Sequence, residues 1–194
     1  MDRPRIRTAD PDDEPTVLSV ITLAFSADPM ARWATPDPAK FLTSMPQVAR
    51  AFGGNGFAHG TVYIAEGGGG AAMWLPPGVD PDGERLTALF AEYSAAERLD
   101  ELGGVTERMG QSHPHEPHWY LPLIGVDPAL HGRGLGSALM AHALARCDAE
   151  GIPAYLESSN PRNIGLYQRH GFVAAEPIQV GSSPPVVPML RRPR

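Results

Sequence analysis

Gly132-Arg133-Gly134-Leu135-Gly136-Ser137 stands between an apolar run, Trp119 to Val126 with its turn Asp127-Pro128, and a segment in which Leu139, Ala143, Leu144 and Cys147 recur at helical spacing. Strand, glycine turn and helix in that order aim unpaired backbone N–H groups and a helix dipole at one point, which is how proteins hold anions. Three alternating glycines exceed what a tight turn needs, and Arg133 adds a cation suited to phosphate. A plain strand-to-helix turn is the competing reading. The helix runs from about Gly134 to Glu150, Gly151 ends it, and Ala154 to Ser158 supplies a second strand, which completes a βαβ unit.

Spacing narrows the choice of anion. A nucleoside triphosphate loop requires Gly-Lys followed by Ser or Thr, which this segment lacks. A dinucleotide fingerprint places its third glycine where Ser137 stands, although Glu157 lies near the position of the ribose acid. An oxidoreductase reading also needs a doubly wound sheet, and the roughly forty residues after the βαβ unit are too few to complete one.

Working outward, Asn160-Pro161 caps a short helix through His170, Phe172 begins a strand, and Val186 to Leu190 forms a last one. Upstream, Ile6 to Thr8 reads as a strand. Val17, Val20, Ile21 and Ala24 mark a helix that Asp28-Pro29 interrupts. Asp37-Pro38 opens a second helix along Phe41, Met45, Val48 and Phe52, ending at Gly53-Gly54, with Pro46 as a candidate kink. Thr61 to Ala65 and Ala71 to Leu75 are expected strands. The glycines Gly67 to Gly70 between them fit a loose hairpin better than a phosphate loop, because no helix follows. Leu86, Leu89, Phe90 and Tyr93 mark a further helix, and a short one is expected from Val105 to Met109 before the loop Ser112 to Pro117.

At 194 residues the chain suits one domain, by the usual span of roughly 100 to 200 residues. Its 22 acidic against 16 basic side chains give a net charge of -6, without the basic stripe that nucleic acid demands. The single cysteine, Cys147, excludes an intrachain disulfide framework and fits a reducing, cytoplasmic setting. Its apolar neighbours suggest burial, not nucleophilic use. Met1 to Asp10 is charged and lacks the apolar run of a secretory leader, and no stretch of about 18 apolar residues suggests a membrane span. His113, His115 and His118 with Glu116 could suggest zinc, but two prolines break the geometry and no metal is expected. No Gly-x-Ser-x-Gly elbow points to a hydrolase.

Two motifs in order carry a resemblance. Val126-Asp127-Pro128 through His131-Gly132-Arg133-Gly134-Leu135-Gly136 is similar to the acetyl-CoA loop of the GNAT N-acetyltransferases. Leu156 to Asn163 and Leu166-Tyr167-Gln168-Arg169-His170-Gly171-Phe172 resemble that family's later motif. The resemblance implies an α/β fold of the α+β type, a mixed, largely antiparallel twisted sheet flanked by helices. An acceptor half of about 1–115 would precede an acetyl-CoA half of about 116–194.

It also implies direct transfer of an acetyl group to a primary amine. His131, Gly132, Arg133, Gly134, Leu135, Gly136 and Ser137 would hold the diphosphate. Ile124, Gly125 and Val126 would pair with the pantetheine amides, and Asn163 and Tyr167 would contact the cofactor arm. His131 departs from the family's usual Gln or Arg, at little cost to a loop that works through backbone N–H groups. Pro122 removes a ladder donor and suggests a bulge or splay. Tyr167 is the expected proton donor to the leaving thiolate. Glu157 is the first candidate base, with Glu116 and His118 in reserve. Phe25, Asp28, Met30, Trp33 and Tyr93 are candidate walls of the amine pocket, with Asp28 suited to a cation. The expected partner is a small-molecule amine, and the reading leaves room for a homodimer. A non-catalytic acyl-CoA sensor or interaction module stays open as an alternative, and behind it a nucleotide-dependent oxidoreductase.

Overall fold

The computed structural model describes residues 4–194. The Met1–Arg3 part of the leader reading lies outside them. Ile6–Thr8 (β1) leads into a 3₁₀ turn, Pro11–Asp13, where the Asp10 carboxylate accepts from Asp12 N–H and the Asp13 carboxylate from Asp10 N–H. Helix α1 spans Glu14–Ala24 and buries Val17, Val20 and Ile21. The interruption expected at Asp28-Pro29 is also a start. Asp28 Oδ1 accepts from the N–H groups of Met30 and Ala31, Pro29 fits the first turn, and a short helix, α2, runs over Pro29–Ala34. Asp37 opens α3, Pro38–Gly53, in the same way through Lys40 N–H, and the helix continues past Pro46.

Strands Val62–Ala65 (β2) and Gly70–Leu75 (β3) form the expected hairpin. Gly67 and Gly68 have φ of +90° and +74°, so the glycine run serves a chain reversal that side chains rarely permit. After α4, Gly83–Tyr93, the chain departs from expectation. The short helix at Val105–Met109 is the middle of a 14-residue helix, α5, Leu99–Ser112. Its three glycines and polar face hide the pattern, because only Leu102 and Val105 are buried. The chain continues through β4 Trp119–Val126, α6 Leu135–Glu150, β5 Ala154–Ser158, α7 Pro161–Arg169, β6 Val173–Ala174 and β7 Val187–Arg191.

The seven strands form one sheet in the order β1-β2-β3-β4-β5-β7-β6, antiparallel except for the parallel β4–β5 pair. One face carries α1 and α3 over Val62, Ile64, Ala71, Met73 and Leu123. The other carries α6 over Tyr63, Ala72, Trp74, Leu121 and Leu156.

Two irregularities in β4 open the middle of the sheet. Leu121 and Pro122 together stand opposite Trp74, between the pairs Tyr120–Leu75 and Leu123–Met73, which is a β-bulge at the residue that cannot donate to the ladder. The bulge reverses the alternation. Trp119 and Leu121 face α6, Leu123 faces α1, and Ile124 and Val126 face α6 again. On the other side, β4 pairs with β5 only at Trp119–Ala154 and Tyr120–Tyr155, and beyond these the two strands part.

Strand β7 fastens the C-terminal part. Arg191 is 4% exposed and donates both terminal nitrogens to Asp148 of α6, at 2.7 and 2.8 Å, and its Nε to the carbonyl of His170. The Arg191 guanidinium holds the Asp148 carboxyl below its ordinary value. Asp148→Ala would leave a buried guanidinium without its partner and is expected to destabilise the fold by about 3 kcal/mol in urea unfolding at pH 7. Because the folded value is depressed, this contribution is complete above about pH 4. It is lost as pH falls through the folded value, so wild type and variant should converge in stability in acid.

Candidate active site

The cradle after β4 is built from backbone. Gly132 and Gly134 have φ of +77° and +81°, and nothing lies within 4 Å of where a Cβ would stand on either. Their need for glycine is therefore conformational and not a matter of crowding. No side chain caps α6, so the N–H groups of its first turn open outward, with Gly132, Arg133 and Gly134 exposed beside them. This is the chemistry that a diphosphate requires, and the residues present fit it. Ser137 Oγ shares a 2.8 Å hydrogen bond with His170 Nε2, which ties the cradle to the end of α7. His131 reaches back instead of outward, its Nε2 donating to the Val126 carbonyl at 3.2 Å.

From the cradle, the gap between β4 and β5 leads inward as a narrow slot. Ile124, Leu156, Asn163 and Tyr167 line it, and Pro122 stands where the strands part. Gly125 faces the other way, and a Cβ there would come within 2.7 Å of Ala24 Cβ, so glycine is what lets α1 lie against β4. Tyr167 is 5% exposed. Burial, followed by the negative charge of Asp28, pushes its phenol well up, so it keeps its proton at neutral pH.

The slot opens into a cavity of about 150 Å³. Met45, Val48 and Phe52 of α3 form one wall, and Leu102, Val105 and Met109 of α5 form another. Phe25, Pro122, Glu157 and Ser159 line both spaces. Of the candidate wall residues, Phe25, Asp28 and Met30 line the cavity, whereas Trp33 and Tyr93 do not. Trp33 donates from Nε1 to Ser182 Oγ and lies under the Arg98 guanidinium, because α2 turns its ring away from the sheet. Tyr93 packs on Ala51, Leu86 and Leu89 between α3 and α4.

Two carboxylates interrupt this apolar lining. Asp28, 5% exposed, uses one oxygen to cap α2 and accepts Ser159 Oγ–H at 2.8 Å on the other. Burial pushes its carboxyl up, against the hydrogen bonds from Ala31, Ser159 and Met30. Glu157 is 2% exposed by its side chain. It shares a face of β5 with Tyr155, two residues before it. Its Oε1 lies 3.1 Å from His113 Nε2 without hydrogen-bond alignment, which leaves this buried oxygen unsatisfied. Burial first, then the charge of Glu157, pushes the phenols of Tyr120 and Tyr155 up. Among the described residues, no group of three or more His, Cys, Asp or Glu side chains is arranged to hold a metal ion, and no helix is long and apolar enough to cross a membrane.

The model of the acetyltransferase (GNAT) family matches residues 78–172, the span from the approach to α4 through the cradle, slot and Tyr167. Over this span the chain is a GNAT acetyltransferase. It is 32% identical over 115 residues to an uncharacterised N-acetyltransferase of Schizosaccharomyces pombe, covering 58% of this chain and 44% of that one. It is 40% identical over 63 residues to the mycothiol acetyltransferase of Streptosporangium roseum, covering 31% and 19%. The chain thus spans less than half the length of these curated relatives. Over whole chains it is similar to a Corynebacterium glutamicum structure described as histone acetyltransferase HPA2 and related acetyltransferase, with 27% identity, a TM-score of 0.69, and coverage of 100% and 98%. The mainly antiparallel seven-stranded sheet between helices is the GNAT fold.

Several residues around the site carry no signal in the sequence pattern. Ser159 holds Asp28, and Tyr120, Tyr155 and His113 surround Glu157. Period-two alternation would have placed Tyr155 with Glu157, but nothing local brings His113 to them. Cys147, on the inner face of α6, is fully buried, and burial pushes its thiol up to about 12. A thiol reagent at pH 8 should leave Cys147 unmodified in the native protein and label it fully in denaturant, with mass spectrometry reading the difference.

Proposed function

We propose that this GNAT protein transfers an acetyl group from acetyl-CoA to a primary amine carried by a small, largely apolar molecule. The observation that carries the reading is the buried carboxylate of Glu157 at the junction of slot and cavity. When bound, acetyl-CoA would supply the activated acetyl thioester. The uncapped first turn of α6, Gly132 to Gly134 and Arg133 would hold its diphosphate, Ile124 to Val126 the arm, and Asn163 and Tyr167 the slot.

An aliphatic amine arrives mostly protonated, since its pKa is about 8 to 10. Asp28 and Glu157 are the two acidic groups on an otherwise apolar wall, so they favour a cationic head while Met45, Phe52, Val105 and Met109 accept an apolar body. Glu157 then takes the proton whose loss frees the nitrogen lone pair for attack. Tyr167, kept protonated by burial, gives its proton to the leaving thiolate. The stretch His118 to Phe172 also resembles puromycin N-acetyltransferase. That enzyme has tyrosine where Asp28 stands, so the acidic Asp28 argues for an amine other than puromycin.

A panel of hydrophobic primary amines, aminonucleosides and peptide N-termini, assayed for CoA release, tests the reading. Turnover is expected with apolar amines, and tight acetyl-CoA binding with no release for any amine would overturn it. Tyr167→Phe should lower kcat by about 10²-fold with little change in acetyl-CoA affinity. Glu157→Gln should lower kcat with little change in acetyl-CoA affinity. Asp28→Asn keeps an oxygen for the α2 cap, so it should raise KM for the amine while leaving acetyl-CoA binding and melting temperature close to wild type.

A further inference from the structure

Glu157 is closed in on all but one side. Tyr120 and Tyr155 flank it, the cavity lies in front of it, and His113 stands behind it. His113 comes directly after the last residue of α5, and its ring lies 4.6 Å from the rings of both Tyr120 and Tyr155. Its Nδ1 is 3.2 Å from His118 Nε2, and His118 Nδ1 is 2.9 Å from the Glu116 carbonyl. Both imidazoles reach a second, open basin between Pro76–Asp80 and His113–His118.

The carbonyl fixes the tautomers. A carbonyl only accepts, so His118 carries its proton on Nδ1 and presents a lone pair at Nε2. His113 must then donate from Nδ1, which leaves the lone pair on its Nε2, 3.1 Å from the carboxylate oxygen of Glu157 but not aimed at it. A turn of the imidazole brings the two acceptors into line once a proton enters between them. The missing hydrogen-bond partner of Glu157 Oε1 marks that proton site.

We propose that Glu157, His113 and His118 form a relay that carries the amine's proton from the closed cavity to the open basin. The inference rests on the acetyl-transfer reading. An ammonium N–H bond breaks as a Glu157 O–H bond forms. The proton passes from Oε1 to His113 Nε2, the Nδ1 proton of His113 passes to His118 Nε2, and His118 gives its Nδ1 proton to water. One proton enters at Glu157 and one leaves at His118, and exchange with basin water restores both tautomers. His113, which carries the extra proton in passing, stands at the C-terminal end of α5, where the helix dipole is negative. Asp80, His115 and Glu116 also face the basin, and Glu116 is paired with Arg192. Within the closed part, Glu157, Tyr120, Tyr155 and His118 are the titratable groups around His113. His113 and His118 are thus positioning residues that act through Glu157.

His113→Gln keeps a polar side chain but cannot take up a proton. It is expected to lower kcat by about tenfold or more, leave KM for acetyl-CoA unchanged, and make the rate rise with added imidazole, which wild type should ignore. His118→Gln should show the same imidazole dependence more weakly. Histidine NMR of the free protein supplies a readout that needs no turnover. His113 and His118 should both appear as Nδ1–H tautomers, and Glu157→Gln should shift the ring-nitrogen resonances of His113. Wild-type kcat in folded His113→Gln, or His113 ring resonances indifferent to Glu157→Gln, overturns the relay. If no amine releases CoA from the wild type, the acetyl-transfer reading fails, and the NMR spectra still decide whether the three groups share a proton.

Discussion

The site exists because β4 and β5 stop pairing after Tyr120 and Tyr155. Parallel neighbours inside a sheet normally share a continuous ladder, and backbone groups that leave it need other partners. Here the bulge at Leu121-Pro122 supplies the local reason. Proline has no N–H to lose, the extra residue increases the twist, and the strand bends away from β5 while remaining bound to β3 up to Val126. The slot is therefore a consequence of one residue type at one position, and the unpaired edge of β4 beyond it is what an extended cofactor arm could satisfy. The reversal of alternation at the same bulge puts Ile124 on the slot side and sends Gly125 against α1.

The two buried carboxylates are held by different means. Asp28 is satisfied on both oxygens, by the α2 cap and by Ser159, so its charge is fixed in place and has little freedom to move a proton. Glu157 has a buried oxygen without an aligned partner, beside the phenols of Tyr120 and Tyr155. Fixed charge suits recognition of a cation, and an unsatisfied oxygen suits exchange of a proton. That contrast supports the proposed division of Asp28 to binding and Glu157 to chemistry, although both are acidic residues of one cavity.

The cradle was legible from sequence because its parts are contiguous. Glycines, a strand before them and a patterned helix after them state the geometry within about twenty residues, and the same holds for Asn160-Pro161 and the helix bearing Tyr167. The acceptor side was less legible because its walls come from the turn after α1 and from α2, α3, α4 and α5, segments that no local pattern brings together. Trp33 illustrates the limit. As a large aromatic in the right segment it reads as a pocket wall, yet the Asp28 cap sets the direction of α2 and points the ring toward Ser182 and Arg98. Helix α5 shows the opposite failure, where weak periodicity concealed a long element.

The length of α5 links shape to chemistry. Leu102, Val105 and Met109 form a cavity wall, and His113 stands immediately past the end of the same helix. On its outer side α5 is secured by the connection between β6 and β7. Glu101 accepts from the N–H and Oγ–H of Ser182, Arg108 donates to the Gln179 carbonyl, and Val180 fits against Gly104. A rigid helix held at both faces transmits a shift at the cavity wall to its own C-terminus. Enlarging the cavity at Val105 or Met109 would therefore tend to disturb the contact between His113 and Glu157, so acceptor shape and proton exit are constrained together. Val48 and Phe52 line the same cavity from α3, and Phe52 also packs against Tyr120 and Tyr155, the rings beside His113. On the proposed reading, the choice of amine is therefore altered with least effect on proton movement at Val48.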